Sequence, residues 1–153
     1  MQLSLSDFKQ TVRCTPLISI DLIVKSPDDT ILLGKRINEP AKGYYFVPGG
    51  RVYKDETISS AFQRITETEL NCKGHITDHN VSFIGVHEHF YKNSFVDSNI
   101  STHYIVLAYT IKLDRPITNL PTDQHGEYIW LTVDKLLQDD MVNYYSKLYF
   151  NSK

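Results

Sequence analysis

Acidic and basic side chains at characteristic intervals lie between Gly49 and Cys72, where the chain reads GGRVYKDETISSAFQRITETELNC. No glycine or proline interrupts Thr57 to Leu70, and apolar residues recur there at intervals of three and four: Ile58, Ala61, Phe62 and Ile65. This periodicity predicts an amphipathic helix. Continuing the stripe 58, 62, 65 by four residues reaches Glu69, so a carboxylate is aimed along the line that faces the core.

Two interpretations of Glu69 follow from its position. Burying an unpaired carboxylate costs several kcal/mol, so a buried Glu69 would need a cation or a set of hydrogen-bond donors. Alternatively, Glu69 lies in a fraying last turn and bends out to water, because helix ends are loosely defined. Position alone leaves both interpretations open.

Four residues with fixed spacing bear on this choice: Gly50, Glu56, Arg64 and Glu69 stand as G-x5-E-x7-R-x4-E. The pattern follows the apolar run from Tyr44 to Val47 and resembles the signature of the Nudix hydrolases. These enzymes cleave nucleoside diphosphates that are linked to another group. A signature with four fixed positions is more specific than a single glycine motif.

The chain departs from that signature in two ways. The family pattern ends R-E-x-x-E-E-x-G, and this chain has Ile65 and Thr68 at two of the three carboxylate positions and Asn71 at the closing glycine. Asparagine tolerates the left-handed conformation that often follows a helix. The missing carboxylates matter more, because in the family they help to hold metal and to activate water.

Composition restricts the class of protein. The chain has 153 residues, of which 41% are hydrophobic and 22% charged, which is typical of one globular domain spanning 1–153. A net charge of -2 provides no broad basic surface, so a nucleic acid polymer is not an expected partner.

No run is apolar enough to span a membrane and no secretory leader is recognisable, so we expect a cytoplasmic location. Cys14 and Cys72 are too few for a disulfide framework, and we expect both to be reduced and packed like small apolar residues.

Local patterns predict strands and helices in irregular alternation. The predicted helices are Ser4–Val12, Thr57–Leu70, Val133–Leu137 and Met141–Phe150. The predicted strands are Leu17–Val24, Ile31–Arg36, Val81–Tyr91, Thr102–Leu113 and Tyr128–Leu131. Together they predict an α/β fold with a mixed sheet covered by helices on its faces. The resemblance makes this the Nudix fold, with its loop-helix-loop motif at 49–72.

Several polar residues within these elements allow two interpretations each. Asp21 interrupts an apolar strand and either points to a solvated face or faces a polar pocket. His87 and His89 lie on the same side of one strand and either suit a metal or serve packing and hydrogen bonding. Gln124 and His125, placed in the loop before the last strand, either decorate a turn or supply a neutral metal ligand and a general base.

The whole chain resembles one branch of the family, the GDP-mannose mannosyl hydrolases. The matching segments are LGKR at 33–36, GYYFVPGGRVYKDET at 43–57, Phe90-Tyr91, Thr102-His103-Tyr104, the Gln124-His125 loop and the reduced helix motif that ends in Glu69. Members of that branch use one Mg²⁺ per site, form homodimers, and hydrolyse GDP-mannose or GDP-glucose to GDP and free sugar. They break the sugar C–O bond with inversion at the anomeric carbon.

The resemblance implies a role for each matching residue. Mg²⁺ would be held by the Gly49 carbonyl, Glu69 and Gln124. His125 would be the general base, and Arg36 would act on the departing diphosphate. The substrate contacts it implies are Phe8, Asp21, Arg51, His89 and Tyr104. Glu56 and Arg64 are expected to pair with each other and brace the motif.

Two other functions remain open at the level of sequence. The chain could be a Nudix pyrophosphatase that cleaves a P–O bond in another nucleoside diphosphate derivative. It could also be a degenerate Nudix domain that binds a nucleotide sugar without turning it over.

Overall fold

The structure is a computed structural model that describes residues 2–72, 76, 80–123 and 125–151. Its helices are α1 (Leu5–Cys14), α2 (Ile58–Leu70), α3 (Val133–Gln138) and α4 (Tyr144–Leu148). Its strands are β1 (Leu17–Lys25), β2 (Ile31–Arg36), β3 (Tyr45–Phe46), β4 (Gly49–Arg51), β5 (Val81–Tyr91), β6 (Thr102–Lys112) and β7 (His125–Leu131). Within this part of the chain, no helix is both long enough and apolar enough to cross a bilayer.

The described strands form one mixed sheet centred on β1. Its order is β3-β2-β1-β6-β5, with β4 paired to β1 and β7 paired to β2. β1 and β6 run parallel, and β1 is antiparallel to both β2 and β4. A central strand is buried on both faces, which explains why β1 is almost continuously apolar.

Helices cover both faces of the sheet, as the sequence predicts. On one face, Ile20, Leu22 and Val24 of β1 pack with Ala61, Ile65 and Leu70 of α2. On the other face, a second cluster joins β1 to α3 and the C-terminal segment; its buried members are Ile23, Ile31, Leu33, Val47, Ala108, Leu136 and Val142. The side chains of β1 therefore alternate between the two clusters, in line with the period of a strand.

The helix α2 confirms most of the local prediction. Thr57 is its N-cap and accepts a hydrogen bond from the Ser60 amide, and Asn71 ends it in the left-handed conformation at φ 52°. Ala61, Ile65 and Glu69 are buried. Ile58 shares their side of the helix but is 49% exposed, because periodicity predicts a direction and not whether another element lies opposite.

Several predicted boundaries were wrong. The last strand begins at His125 and not at Tyr128, the final helix covers only Tyr144–Leu148, α1 runs on to Cys14, and β6 ends at Lys112. The motif at 49–72 opens with the short strand β4 and not with a loop. Non-local pairing explains two of these differences, since β7 and β4 are strands only because they pair with β2 and β1.

The cysteines agree with the prediction in part. Both are free; Cys72 is buried in the cluster beneath α2, whereas Cys14 is exposed at the end of α1.

Candidate active site

One cleft of about 830 Å³ collects the predicted site residues. It is lined by all nine that the structure describes: Phe8, Asp21, Arg36, Gly49, Arg51, Glu69, His89, Tyr104 and His125. Gln124, the tenth, lies outside the described residues. These nine residues lie on the helices α1 and α2 and on six strands, so the fold assembles the cleft from distant parts of the chain.

Glu69 and His125 meet on one wall of this cleft. The His125 Nδ1 and the Glu69 Oε2 are 3.9 Å apart, and the two residues are only 5% and 6% exposed. Burial raises the pKa of Glu69 to about 7, against the opposing charge of Arg36. Burial, reinforced by Arg36, lowers the pKa of His125 to about 4, so the imidazole is neutral near pH 7. Among the described residues, Nδ1 of His125 has no hydrogen-bond partner.

A β-bulge aims His125 at the cleft. Gly34 pairs with Tyr128 and Arg36 pairs with His125, so β7 carries one extra residue between these two pairs. Strand alternation alone would put residues 125 and 128 on opposite faces. With the bulge, the rings of His125 and Tyr128 are 5.4 Å apart on the same side.

Gly34 is a residue of the site that sequence reasoning missed. A Cβ at this position would lie 2.5 Å from both Cδ2 and Cγ of His125, so the ring rests directly on the glycine backbone. Gly34 belongs to the segment LGKR at 33–36, which matches the family branch, but the resemblance implied a role only for Arg36.

The carbonyl of Gly49 points away from β1. Leu22 N–H donates to the Pro48 carbonyl and Val52 N–H donates to the Ile18 carbonyl, so Asp21 and Gly49 form the intervening non-hydrogen-bonded pair. A side chain at Gly49 would not fit, since its Cβ would be 2.5 Å from the Ile20 carbonyl oxygen and 2.7 Å from Asp21 Oδ1. This close approach brings β4 against β1 beside Asp21.

Glu69 and Gly49 both line the cleft, and a carboxylate together with a backbone carbonyl suits a hard cation that shares its coordination with water and substrate. No group of three or more His, Cys, Asp or Glu side chains that could hold a metal occurs in the described ranges. Mg²⁺ is usually bound through one or two carboxylates together with waters and phosphate oxygens, so a carboxylate cage is not required. A buried carboxylate whose pKa burial raises is stabilised as an anion by a neighbouring cation.

Two arginines face the cleft without carboxylate partners. Within the described part of the chain, neither Arg36 nor Arg51 lies within 4.0 Å of a carboxylate oxygen. The Arg51 guanidinium stacks over the Phe8 ring at 4.0 Å, and Arg36 lies 5.4 Å from the Phe46 ring centroid. Guanidinium groups held in this way match the oxygens of a phosphate or diphosphate.

Asp21 and His89 also line the cleft, and Tyr149 links them. The Tyr149 hydroxyl donates to Asp21 Oδ2 at 2.6 Å and lies 3.3 Å from His89 Nε2. Burial raises the pKa of Asp21 to about 6 although the Tyr149 hydrogen bond and Arg36 oppose it, and burial lowers the pKa of His89 to about 4. Asp21 therefore faces a polar pocket, which settles the alternative that the sequence left open. Sequence reasoning gave Tyr149 no role.

The pair His87 and His89 lies on one side of β5, as alternation predicts. Both rings face Tyr149, with centroid separations of 4.9 Å for His87 and 6.2 Å for His89. His89 also stacks on Tyr145 at 4.3 Å. These contacts favour the packing and hydrogen-bonding interpretation of the histidine pair.

Aromatic side chains that the sequence analysis did not place in the site complete its lining. They are Phe46, Tyr53, Tyr91 and Phe95. Tyr91 meets Tyr104 edge-on with ring centroids 6.3 Å apart. Flat apolar faces of this kind can stack on a nucleobase or on the apolar face of a sugar ring.

Glu56 and Arg64 brace the motif, as predicted. Arg64 donates to Glu56 Oε1 at 2.7 Å and Oε2 at 2.9 Å, and its other bond goes to the Arg51 carbonyl at 2.7 Å. Glu56 also accepts from the Tyr53 amide at 2.9 Å. The pair thus ties α2 to β4 and to the loop between them.

Comparisons with known proteins agree with this architecture. The sequence profile of the NUDIX domain family matches residues 15–151. The chain is 38% identical over 121 residues to the Low-salt glycan biosynthesis protein Agl8 of Haloferax volcanii, covering 79% of this chain and 74% of that protein.

Solved structures with low sequence identity share the fold. The MutT NUDIX hydrolase of Burkholderia pseudomallei aligns with a TM-score of 0.69 at 21% identity, over 88% of this chain and 95% of that one. The MutT protein of Methanosarcina mazei Go1 aligns with a TM-score of 0.64 at 19% identity, over 90% and 92% of the two chains.

Proposed function

Because this chain belongs to the NUDIX domain family, we propose that it is a hydrolase of nucleotide sugars that converts GDP-mannose or GDP-glucose to GDP and the free sugar. Water attacks the anomeric carbon and the configuration there inverts. The observation that carries this proposal is the pair formed in the cleft by the neutral imidazole of His125 and the single α2 carboxylate, Glu69, with Nδ1 and Oε2 3.9 Å apart.

The composition of the α2 wall supports attack at carbon. Ile65 and Thr68 line the cleft where the family signature has carboxylates, so Glu69 is the one carboxylate that α2 presents there. A wall with so few acidic ligands is poorly suited to activating water on metal next to phosphorus. An uncharged imidazole is suited to accepting a proton from water that attacks a cationic sugar carbon.

In this reaction, different residues act on the two faces of the anomeric carbon, one set on the attacking water and the other on the leaving group. His125 accepts a proton from the attacking water as the new C–O bond forms on one face. The resulting imidazolium has the Glu69 carboxylate 3.9 Å away. On the other face the bond between the sugar carbon and the diphosphate oxygen breaks, and its electron pair leaves with GDP. Arg36 and Arg51 bind the diphosphate, and Asp21 and His89 bind the sugar hydroxyls.

A metal ion completes this proposal. Glu69, the Gly49 carbonyl and the predicted ligand Gln124 would hold Mg²⁺. When bound, Mg²⁺ supplies positive charge that stabilises the departing diphosphate.

The relative from Haloferax volcanii supports a link to sugar metabolism, because its name places it in glycan biosynthesis, a process that consumes nucleotide sugars. A homodimeric assembly, a cytoplasmic location and a single domain over 1–153 follow from the predictions above and are part of this proposal.

Product analysis in ¹⁸O-labelled water tests the function. GDP-mannose with Mg²⁺ should yield GDP without label and mannose with label, and NMR should show the inverted anomer first. The variant His125→Ala should release GDP about 10²–10⁴-fold more slowly, which is the range a positioned base contributes.

Two outcomes would contradict the proposal. Label in GMP or in mannose phosphate would mean cleavage at phosphorus, as in a pyrophosphatase. Stoichiometric binding without any release of GDP would mean a binding domain.

A further inference from the structure

The hydroxyl of Tyr149 joins two residues of the cleft wall that the sheet keeps apart. Asp21 belongs to β1 and His89 to β5, and β6 lies between these strands. Two strand spacings separate β1 from β5 by about 10 Å, and the β5 residue in register with Asp21 is Gly85, four positions from His89. The Tyr149 hydroxyl spans this gap, with 2.6 Å to Asp21 Oδ2 and 3.3 Å to His89 Nε2.

The hydrogen bonds of this bridge have a defined direction. A phenol has one proton to donate, and the shorter contact to a carboxylate takes it. The Tyr149 oxygen is then an acceptor, so the neutral imidazole of His89 donates from Nε2. One hydroxyl therefore orients the Asp21 carboxylate and selects the tautomer of His89.

The sheet leaves room for this side chain. Asp21 pairs with Ala108 of β6, and Ala108 pairs with Gly85 of β5, so the row across the sheet contains small residues beside the aspartate. Tyr149 packs against the cluster that contains Ala108.

The segment that carries Tyr149 is anchored on two sides. Asn143 N–H donates to the Tyr45 carbonyl at 2.9 Å, and Tyr45 N–H donates to the Met141 carbonyl at 2.8 Å. On the other side, the Tyr145 hydroxyl accepts from the Phe90 amide at 2.8 Å and donates to its carbonyl at 2.9 Å. The position of the Tyr149 hydroxyl is thus set by backbone contacts to both β3 and β5.

We propose that Tyr149 is a positioning residue, which holds Asp21 and His89 in one preformed arrangement for the sugar of the substrate. It lies behind these residues and does not line the cleft itself. This inference rests on the proposed function, since it concerns the sugar half of the same site. Through Tyr149, the C-terminal segment contributes to the recognition of the substrate.

The variant Tyr149→Phe tests the proposal because it removes only the hydroxyl. We expect kcat/KM for GDP-mannose to fall roughly 10- to 100-fold, since misoriented groups lose most of their contribution. The affinity for GDP, measured by calorimetry, should stay within twofold of wild type, because the diphosphate contacts are on the other residues. A merely structural role would instead lower the fraction of molecules that bind GDP.

Tyr144→Phe is the matched control, because it removes a hydroxyl from the same C-terminal segment, on a side chain that is 65% exposed and lies outside the lining of the cleft. It should change kcat/KM by less than threefold. Asp21→Asn keeps the shape of the side chain and should produce the same separation between turnover and GDP binding, which keeps the proposal testable if Tyr149→Phe folds poorly. The double variant Asp21→Asn/Tyr149→Phe should lose less than the product of the two single losses.

The outcomes separate this inference from the function on which it rests. If wild type turns over GDP-mannose and Tyr149→Phe behaves like Tyr144→Phe, the positioning role is wrong and the function stands. Fully multiplicative losses in the double variant would also overturn it. If wild type releases no GDP from any nucleotide sugar, the proposed function fails and the inference fails with it.

Discussion

Replacing Gly34 by alanine should displace the ring of His125, the proposed base, without changing the His125 side chain itself. The new Cβ would lie 2.5 Å from Cδ2 and Cγ of His125 and 3.1 Å from its Cβ. Ordinary contacts between such carbons begin near 3.4 Å, so the ring must retreat by about 1 Å. Gly34 has no positive φ, so its backbone accepts alanine and the effect is confined to the histidine.

The displacement has two consequences whose magnitudes can be estimated, a loss of rate and a loss of stability. A misplacement of about 1 Å can cost on the order of 10²-fold in rate, within the 10²–10⁴-fold that a positioned base contributes. We therefore expect kcat to fall roughly 10²-fold. Overpacking costs about 1–3 kcal/mol, and replacing glycine recovers about 0.4–1 kcal/mol from the unfolded chain. The free energy of unfolding should drop by about 1–2 kcal/mol.

The assay is release of GDP from saturating GDP-mannose, with denaturant unfolding measured in parallel. The double variant Gly34→Ala/His125→Ala is the control, because it has no imidazole to collide with the new methyl group. Adding Gly34→Ala to His125→Ala should therefore cost much less stability than Gly34→Ala alone, because only the 3.1 Å approach to the Cβ of residue 125 remains. A kcat within twofold of wild type for Gly34→Ala would refute the reasoning, since the position of the His125 ring would then not matter.

Two further predictions concern the carboxylates of the motif. Burial raises the pKa of Glu69 from 4.5 to about 7, so its charge destabilises the metal-free fold increasingly as pH rises through that range. Without Mg²⁺, the Glu69→Gln variant should therefore have a higher Tm than wild type at pH 8 and the same Tm at pH 4. Mg²⁺ should raise the Tm of wild type only. Equal Mg²⁺ shifts in both proteins would contradict the role of Glu69 as a ligand. Arg64 lowers the pKa of Glu56 to about 2, so Glu56 stabilises the fold above pH 4.5 and this stability is lost as pH falls towards 2. Glu56→Gln should cost about 1–3 kcal/mol in denaturant unfolding at pH 7 and much less at pH 3, whereas an equal cost at both would rule out the ion pair as its source.

Glu69 illustrates how far local pattern extends. The helix, its Thr57 cap and the inward direction of residue 69 could all be predicted, because they depend on intervals of three and four in one segment. Whether Glu69 reaches water or a partner could not be predicted. The answer depends on β7, a distant strand that brings the imidazole of His125 to 3.9 Å.

His125 and Tyr149 show where sequence reasoning fell short. His125 was assigned to a loop, but pairing with Arg36 makes it the first residue of a strand, and a bulge turns its ring towards the cleft. Tyr149 carried no sequence signal, because its importance depends on a hydroxyl that reaches Asp21 at 2.6 Å. Both features arise from pairing and packing between distant segments, and such contacts produce no periodic pattern in the sequence.

Local sequence patterns specify the helix that carries Glu69, most of the strands and, through the spacing of four motif residues, the family of the fold. These features depend on neighbours within a few residues, where backbone geometry limits the choices to a few. The packing of whole elements, which local patterns do not specify, brings His125 to Glu69 and joins Asp21 to His89 through Tyr149. Contacts between distant segments depend on how whole elements pack, and a bulge or a missing side chain such as that of Gly34 is enough to redirect them.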